Sequence, residues 1–526
     1  MPTRVLDVQT GNTGEVRLYE PQGQSGHYVC LSYCWGCPQL FATTLKCYNS
    51  YVQGIKIDTL PTTIQDAIWV TRQLNVRYLW VDSLCIIQDS IQDKENQISR
   101  MADVYANSYL TISAARGKRC TDGLFNVVHH DFDPGVFQNV SAGQLRFYEE
   151  HWFRYRDLVA GAHCSLRLGD AAGDIGQFKL RYFLNAFPDM DSVSTRAWIF
   201  QESVLSPRVL SFGQCLTFDC FVSTELDRCT GDRAGSSFAR LVSRWLSESS
   251  SPSDAKAMWS LIVQAYTERS LSVPTDKLPA LAGLATAFKN QFSYPADDYV
   301  AGLWKSMLPQ CLMWLVSNPG KRPQSWRAPS WSWASVEGNV MMSPEETKDL
   351  ELASEVVICN VVPLSESTPF AKVKSGSLVI KGLLMQAPDR LLDLKKPRRG
   401  WAQLGVNNGK LCYADTHSNV PMSNTRLHFL DTIEEFDLGA SAVAKIMSGS
   451  VSIADDSQPS PLFLLPIRRS RLSSGLPSIA KPDKRYQGLL LRRVHADTYK
   501  RVGWFQIFDR DIGQLQWDAP QHIHIV

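Results

Sequence analysis

Several groups of residues in this chain have types and spacings that suit chemistry. Cys30-x3-Cys34-x2-Cys37 has the spacing at which three thiolates hold a radical-SAM iron–sulfur cluster. Such a cluster needs its three cysteines on one loop, yet Cys30 falls inside the apolar run 28–33, and no glycine-rich cofactor motif follows. Ordinary buried thiols are the favoured reading, since free cysteine is among the most buried residue types. Cys85 is a second candidate, just past the apolar run 78–81 and close to Asp82 and Gln88. Strand ends of this kind are where α/β sheets build active sites. A reactive thiolate needs a base or an electropositive pocket. No histidine is local, so His27, His129, His130 or His163 would have to fold back. Asp82 ends one apolar run, as Ser32 and Tyr33 end another. A carboxylate at a buried strand terminus must be hydrogen-bonded or face a polar cleft. It therefore either caps the following turn or lines a pocket at the carboxyl edge of a sheet. Glu202 lies four residues after Trp198 in an apolar, aromatic-rich segment, so that one helical face carries an indole and a carboxylate able to flank a ligand. The alternative is an exposed glutamate, or one paired with Arg196 or Arg208. His522 and His524 alternate near the end without further ligands, which reads as surface rather than as a zinc site. Walker A, GxGxxG and GxSxG motifs are absent, which removes phosphate-loop and α/β-hydrolase readings.

The elements that would position these residues follow a simple grammar. Apolar strands at 28–33, 78–82 and 109–113 alternate with amphipathic helices at 62–74, capped by Thr62 or Thr63, and at 89–107. After a less regular stretch (116–190), a helix at 195–205 leads to a strand at 208–212. This is the βαβ pattern of a parallel sheet covered by helices. It predicts a lead-in strand in 1–26, an α/β domain at 27–240, a helical region at 241–345 and a β-rich C-terminal domain at 346–526. Helices are expected at 238–246 and 278–288, and a serine-rich loop at 247–253. Strands are expected at 355–362, 377–384, 489–494 and 501–508. The Ser-, Pro- and Lys/Arg-rich stretch 450–485 reads as a loop.

Composition bounds the function. The chain has 526 residues, with 54 Lys plus Arg against 52 Asp plus Glu. That balance lacks the basic excess of a nucleic-acid binder. No apolar run approaches the roughly 18 residues of a membrane span; the best stretch, 307–316, contains Pro309 and Gln310. No apolar leader opens the sequence, and its thirteen cysteines are scattered and odd in number. The expectation is a cytoplasmic protein with reduced thiols.

Several blocks resemble those of the fungal heterokaryon-incompatibility (HET) domain. They are Leu31-Ser32-Tyr33-Cys34-Trp35-Gly36, Leu60-Pro61-Thr62-Thr63-Ile64, Tyr78-Leu79-Trp80-Val81-Asp82-Ser83-Leu84-Cys85, Met101-Ala102-Asp103-Val104-Tyr105 and Arg196-Ala197-Trp198 through Glu202. Asp276-Lys277-Leu278-Pro279 and Arg327-Ala328-Pro329-Ser330-Trp331-Ser332-Trp333 extend the resemblance to residue 335. It implies a cytoplasmic protein of fungal non-self recognition and programmed cell death. The family is remotely similar to Toll/interleukin-1 receptor (TIR) domains, some of which cleave NAD, which implies a TIR-like, flavodoxin-like topology. TIR domains also open with a strand ending Ser-Tyr. Where enzymatic, they carry a glutamate four residues after a tryptophan, the spacing of Trp198 and Glu202, although here a long insertion precedes that helix. On this resemblance Glu202 stabilises an oxocarbenium-like ribose, Tyr33, Trp35 or Trp198 stacks on a ring of the substrate, and Asp82 or Ser83 holds ribose hydroxyls. NAD would be a substrate, with no bound cofactor or metal. Two rival readings stand beside it. One is a non-enzymatic death adaptor working by self-association or by binding an incompatibility partner. The other is an enzyme of specialised metabolism with Cys85 or Asp82 catalytic. The tryptophans of Trp331-Ser332-Trp333 fit a packing core better than an interaction surface.

Overall fold

The computed structural model describes residues 1–11, 14–36, 41–125, 163–170, 173–181, 193, 195–213, 216–220, 242–243, 246, 251–316, 320–342, 350–387, 403–407, 410–414, 427–430, 461–471, 484–508 and 517–526. It divides into two compact units, one of Met1–Ser249, Arg269–Leu271 and Ala280–Ala287, the other of Ser250–Glu268, Ser272–Pro279 and Phe288–Val526.

The first unit is built on an eight-stranded sheet. Its strands are β1 (Val5–Asp7), β2 (Glu15–Tyr19), β3 (Tyr28–Ser32), β4 (Ile55–Lys56), β5 (Tyr78–Trp80), β6 (Leu110–Ser113), β9 (Arg208–Phe212) and β10 (Leu216–Cys220), with a separate hairpin of β7 (His163–Asp170) and β8 (Gly173–Arg181). The order across the sheet is β10-β9-β6-β3-β5-β1-β2-β4. The strands β5, β3, β6 and β9 are parallel neighbours. A wholly parallel sheet is thus not what forms: β1, β2, β4 and β10 pair antiparallel. Short connections account for β1 with β2 and β9 with β10, because chains that turn back within a few residues can only place antiparallel neighbours; β1 with β5 and β2 with β4 pair antiparallel across long stretches of chain. The segment expected as a lead-in strand pairs inside this same sheet. All five residues of β3 are buried, as befits a parallel strand with helices on both faces.

Helices α1 (Tyr48–Gln53), α2 (Thr62–Gln73), α3 (Asp82–Cys85), α4 (Ile91–Ala106) and α5 (Ala197–Leu205) complete this unit. Neither Thr62 nor Thr63 caps α2. Pro61 holds that position, and Thr63 Oγ1 instead accepts from the Gly123 N–H at 3.1 Å. Ser90 does cap α4, accepting from Asp93 N at 3.2 Å. That helix buries Met101, Val104 and Tyr105, and Tyr105 meets Trp80 edge-on with ring centroids 5.6 Å apart.

In the second unit, α6 (Pro252–Thr267) and α7 (Pro279–Phe292) precede two short hairpins, β11 (Tyr299–Val300) with β12 (Leu303–Trp304) and β13 (Trp314–Val316) with β14 (Val340–Met342); residues 280–287 of α7 belong to the first unit. Trp259 Nε1 and Trp333 Nε1 both donate to the Gly302 carbonyl, at 3.0 and 2.7 Å. Trp331 and Trp333 are fully buried, so this motif is core. The tail is β-rich, as expected. Its strands are β15 (Leu350–Leu352), β16 (Ser354–Pro363), β17 (Val373–Gly382), β18 (Met385–Gln386), β21 (Leu427–Leu430), β22 (Leu462–Arg471), β23 (Lys484–His495), β24 (Thr498–Phe508) and β25 (Gln521–Ile525), all in one sheet, with β19 (Gln403–Asn407) and β20 (Lys410–Ala414) as a separate hairpin. The loop expected over 450–485 is corrected, because the apolar run 462–467 pairs with β23. Most of the helix expected at 238–246 lies outside the described residues. No described helix is long and apolar enough to cross a membrane.

Candidate functional site

The parallel strands β3 and β5 end side by side, with Cys30 opposite Trp80. Tyr33, Cys34 and Trp35 leave the end of β3, and α3 begins two residues after β5 with Asp82. The two strand ends are tied together by side chains. Trp35 Nε1 donates to both carboxylate oxygens of Asp82, at 3.2 and 3.0 Å. Ser83 N donates to Asp82 Oδ1 at 2.6 Å, and Tyr33 OH donates to Ser83 Oγ at 2.9 Å. Asp82 is thus the first residue of α3, accepts from the N–H that follows it, and also faces the neighbouring strand end. It keeps some solvent contact, yet the dense protein around it desolvates the carboxyl and pushes it up to about 6, against these donors and the charge of Arg196, which favour its ionised form.

Glu202 comes to the same place from the far side of the chain. It sits on α5, which is pinned to β6 through Ser206: the Ser206 hydroxyl lies 2.7 Å from Thr111 Oγ1 and 2.7 Å from the Glu202 carbonyl. The Gln201 side chain is held by the Gly283 N–H at 2.8 Å. Glu202 is only 7% exposed. Burial pushes its carboxyl up to about 7, and repulsion from Asp82 adds to this; hydrogen bonding from Ser32 and Tyr105 and attraction by Arg196 act the other way. Ser32 Oγ is itself buried and approaches Glu202 without closing a well-aligned hydrogen bond. Glu202 is therefore not the exposed or arginine-paired residue that its helix alone allows. Arg196 spends a hydrogen bond on the Tyr33 carbonyl, at 3.1 Å, and acts on both carboxylates through space.

Ser32, Tyr33, Trp35, Asp82, Ser83 and Glu202 are thus brought together. Trp198 packs half-buried on the same hydrophobic core as Trp35. Gln88 braces α3, donating to the Asp82 and Ile86 carbonyls at 3.2 Å each. Cys85 does not qualify as a nucleophile. It is 1% exposed, accepts from Val81 N at 3.4 Å, and burial pushes its thiol up to about 12. Of the histidines proposed to activate it, His27 stacks edge-on against Tyr109, while His129 and His130 lie outside the described residues. Cys30 and Cys34 are buried thiols raised by desolvation, and Cys37 lies outside the described residues. Among the described residues no cluster of histidine, cysteine and carboxylate side chains suits a metal, and His522 and His524 stand exposed on β25.

Two participants escape sequence reasoning as site residues. Tyr105 looks like one more apolar position of α4, and Arg196 like a simple ion-pair partner for Glu202. Their roles arise from contacts across long stretches of chain, although Arg196 does stand in the Arg196-Ala197-Trp198 block.

Every residue of this constellation lies between Tyr28 and Glu202. Residues 28–202 match the family model Heterokaryon incompatibility protein (HET). The chain carries a HET domain. No curated protein and no solved structure matches it. The HET match begins with the first parallel strand and ends on the buried glutamate.

Proposed function

We propose that the HET domain binds a nucleotide and cleaves its N-glycosidic bond, with NAD as substrate, in fungal non-self recognition and programmed cell death. The observation that carries this reading is the pair of interacting carboxyls, Glu202 and Asp82, both raised by burial and gathered with a tyrosine, a serine and an indole at the carboxyl ends of parallel strands. Groups so perturbed cluster at functional sites, and this edge is where open α/β sheets take ligands. In chain order the four parallel strands lie across the sheet as second, first, third, fourth. That order supports a flavodoxin-like, TIR-like topology, with its switch point between β3 and β6.

The chemistry follows from what such a site offers. Nicotinamide departs with the electron pair of its glycosidic bond and leaves an oxocarbenium-like ribose. The ionised Glu202 stabilises that charge, as carboxylates do in glycoside cleavage. Water then adds to the anomeric carbon and loses a proton, giving ADP-ribose. Asp82 holds ribose hydroxyls, with the buried Ser83 behind it bound to Tyr33, and the partly exposed ring of Trp35 offers a stacking face. A carboxyl near 7 has both protonation states available at neutral pH, a poise suited to handling that proton. The test is nicotinamide release from NAD by the purified chain beside Glu202→Ala and Asp82→Asn. Release lost in Glu202→Ala supports the proposal. Absence of release from folded wild type would reject it and leave the adaptor reading, in which the domain acts by self-association or partner binding.

A further inference from the structure

Beside the two carboxylates the domain carries a cationic loop that the cleavage chemistry does not use. Residues Arg116-Gly117-Lys118-Arg119 follow the end of β6, at the switch point of the sheet. The loop is shaped from within. Gly117 N donates to the Ala114 carbonyl at 3.1 Å, and the Asp122 carboxylate accepts from the backbone N–H groups of Lys118 and Arg119 at 2.9 and 3.0 Å. Asp122 therefore fixes the backbone, while the side chains of Lys118 and Arg119 stay exposed, with no ion pair or side-chain hydrogen bond among the described residues. The loop also lies directly against the site. Cys120 N donates to the Trp35 carbonyl at 3.3 Å. Gly36 has φ +80°, and a Cβ there would come within 2.7 Å of Arg119 Cγ and 2.9 Å of its Cα, so only glycine permits the approach. Trp35, between these contacts, is the residue whose indole holds Asp82. Arg196 adds a further guanidinium on the carboxylate side.

We infer that this loop is a phosphate subsite: the ligand of the HET domain carries a phosphate or pyrophosphate over Lys118 and Arg119 while its ribose reaches Asp82 and Glu202. This rests on the nucleotide reading above and adds to it the residues that select a phosphorylated ligand. Unpaired cations beside a partly desolvated carboxylate pair would be repaid by an anion at the rim, and lysine and arginine are the usual phosphate donors. A neutral nucleoside would leave them idle.

The experiment is isothermal titration of the full chain with ADP-ribose, adenosine and inorganic phosphate, using wild type and Lys118→Ala/Arg119→Ala. These side chains are exposed, so the variant keeps its fold, which circular dichroism checks. Wild type is expected to bind ADP-ribose more tightly than adenosine or phosphate, with affinity falling as salt rises. The double substitution is expected to weaken ADP-ribose about tenfold or more, as for loss of a charged hydrogen bond, and to leave adenosine unaffected. The inference is overturned if ADP-ribose does not bind, if the variant binds it equally well, or if free phosphate binds as tightly as ADP-ribose. Nicotinamide release, measured in parallel, separates the two proposals. Selective ADP-ribose binding without release keeps the subsite and removes the cleavage; release at subsaturating NAD that the double substitution leaves unchanged does the opposite.

Discussion

Glu202→Gln is expected to stabilise the HET domain at pH 8 and to change it little at pH 4. The folded carboxyl lies at about 7 against an ordinary value of 4.5. Below both values, the folded and unfolded chains are equally protonated and the burial costs nothing extra. Between them the folded state holds a proton that the unfolded state has lost, so stability falls as pH rises. Above 7 the fold carries a buried negative charge. At about 1.4 kcal/mol per pH unit, the gap amounts to roughly 3 kcal/mol. Glutamine removes the charge but also the attraction of Arg196 and of the neighbouring hydroxyls for it, which lowers the expected gain to about 2 kcal/mol. Hydrogen–deuterium exchange of the β3 and β6 amides reads this unit without requiring the whole chain to unfold in one step. Protection should rise in the variant at pH 8, once the intrinsic pH dependence of exchange is removed, and match wild type at pH 4. A variant destabilised equally at both pH values would refute the reasoning, since Glu202 would then be an ordinary well-paired carboxylate. If the account is right, the substitution that stabilises the fold also abolishes cleavage, the trade expected of a strained functional group.

Other substitutions probe separate contacts. Trp35→Phe removes the indole N–H from Asp82 and should cost about 1–2 kcal/mol while raising the Asp82 pKa further, seen as an upward shift in the pH dependence of ADP-ribose binding. Cys85→Ala should lower stability by about 1–2 kcal/mol and leave nicotinamide release per folded molecule intact; loss of release in a folded variant would restore Cys85 as a candidate nucleophile. Gly302→Ala forces a side chain onto φ +91° with its Cβ 2.7 Å from the Trp333 ring. It should destabilise the second unit by about 2 kcal/mol or more, measured by amide protection in β24.

The central strands were legible because burial on both faces leaves a continuous apolar run, and β9 forms over the residues expected, 208–212. The short strands β1, β4 and β10 give little periodic signal, and although β2 falls in the expected lead-in segment, its antiparallel place inside the sheet depends on partners distant in sequence. The strand β22 was hidden by the Ser-, Pro- and Arg-rich residues around its apolar run, which dominate the local composition. At the site, Asp82 and Glu202 stood out as polar residues in apolar segments. The interaction between them depends on bringing Glu202 back across more than a hundred residues, and no local pattern encodes that. Cys85 was tempting because strand ends carry chemistry, but its side chain turns into the core and is closed off by the turn of α3. The loop at Arg116–Arg119 falls in the less regular stretch after the third strand and carries no motif of its own. Its meaning comes from Gly36, whose left-handed conformation lets Arg119 approach.

The most direct measurement of the central claim is the rate of nicotinamide release from NAD as a function of pH between 5 and 9. Release is expected to rise through an apparent pKa near 7 as the interacting Glu202 and Asp82 carboxyls ionise, and to vanish at every pH in Glu202→Gln. No release at any pH from folded wild type, or a profile that Glu202→Gln leaves unchanged, would contradict it.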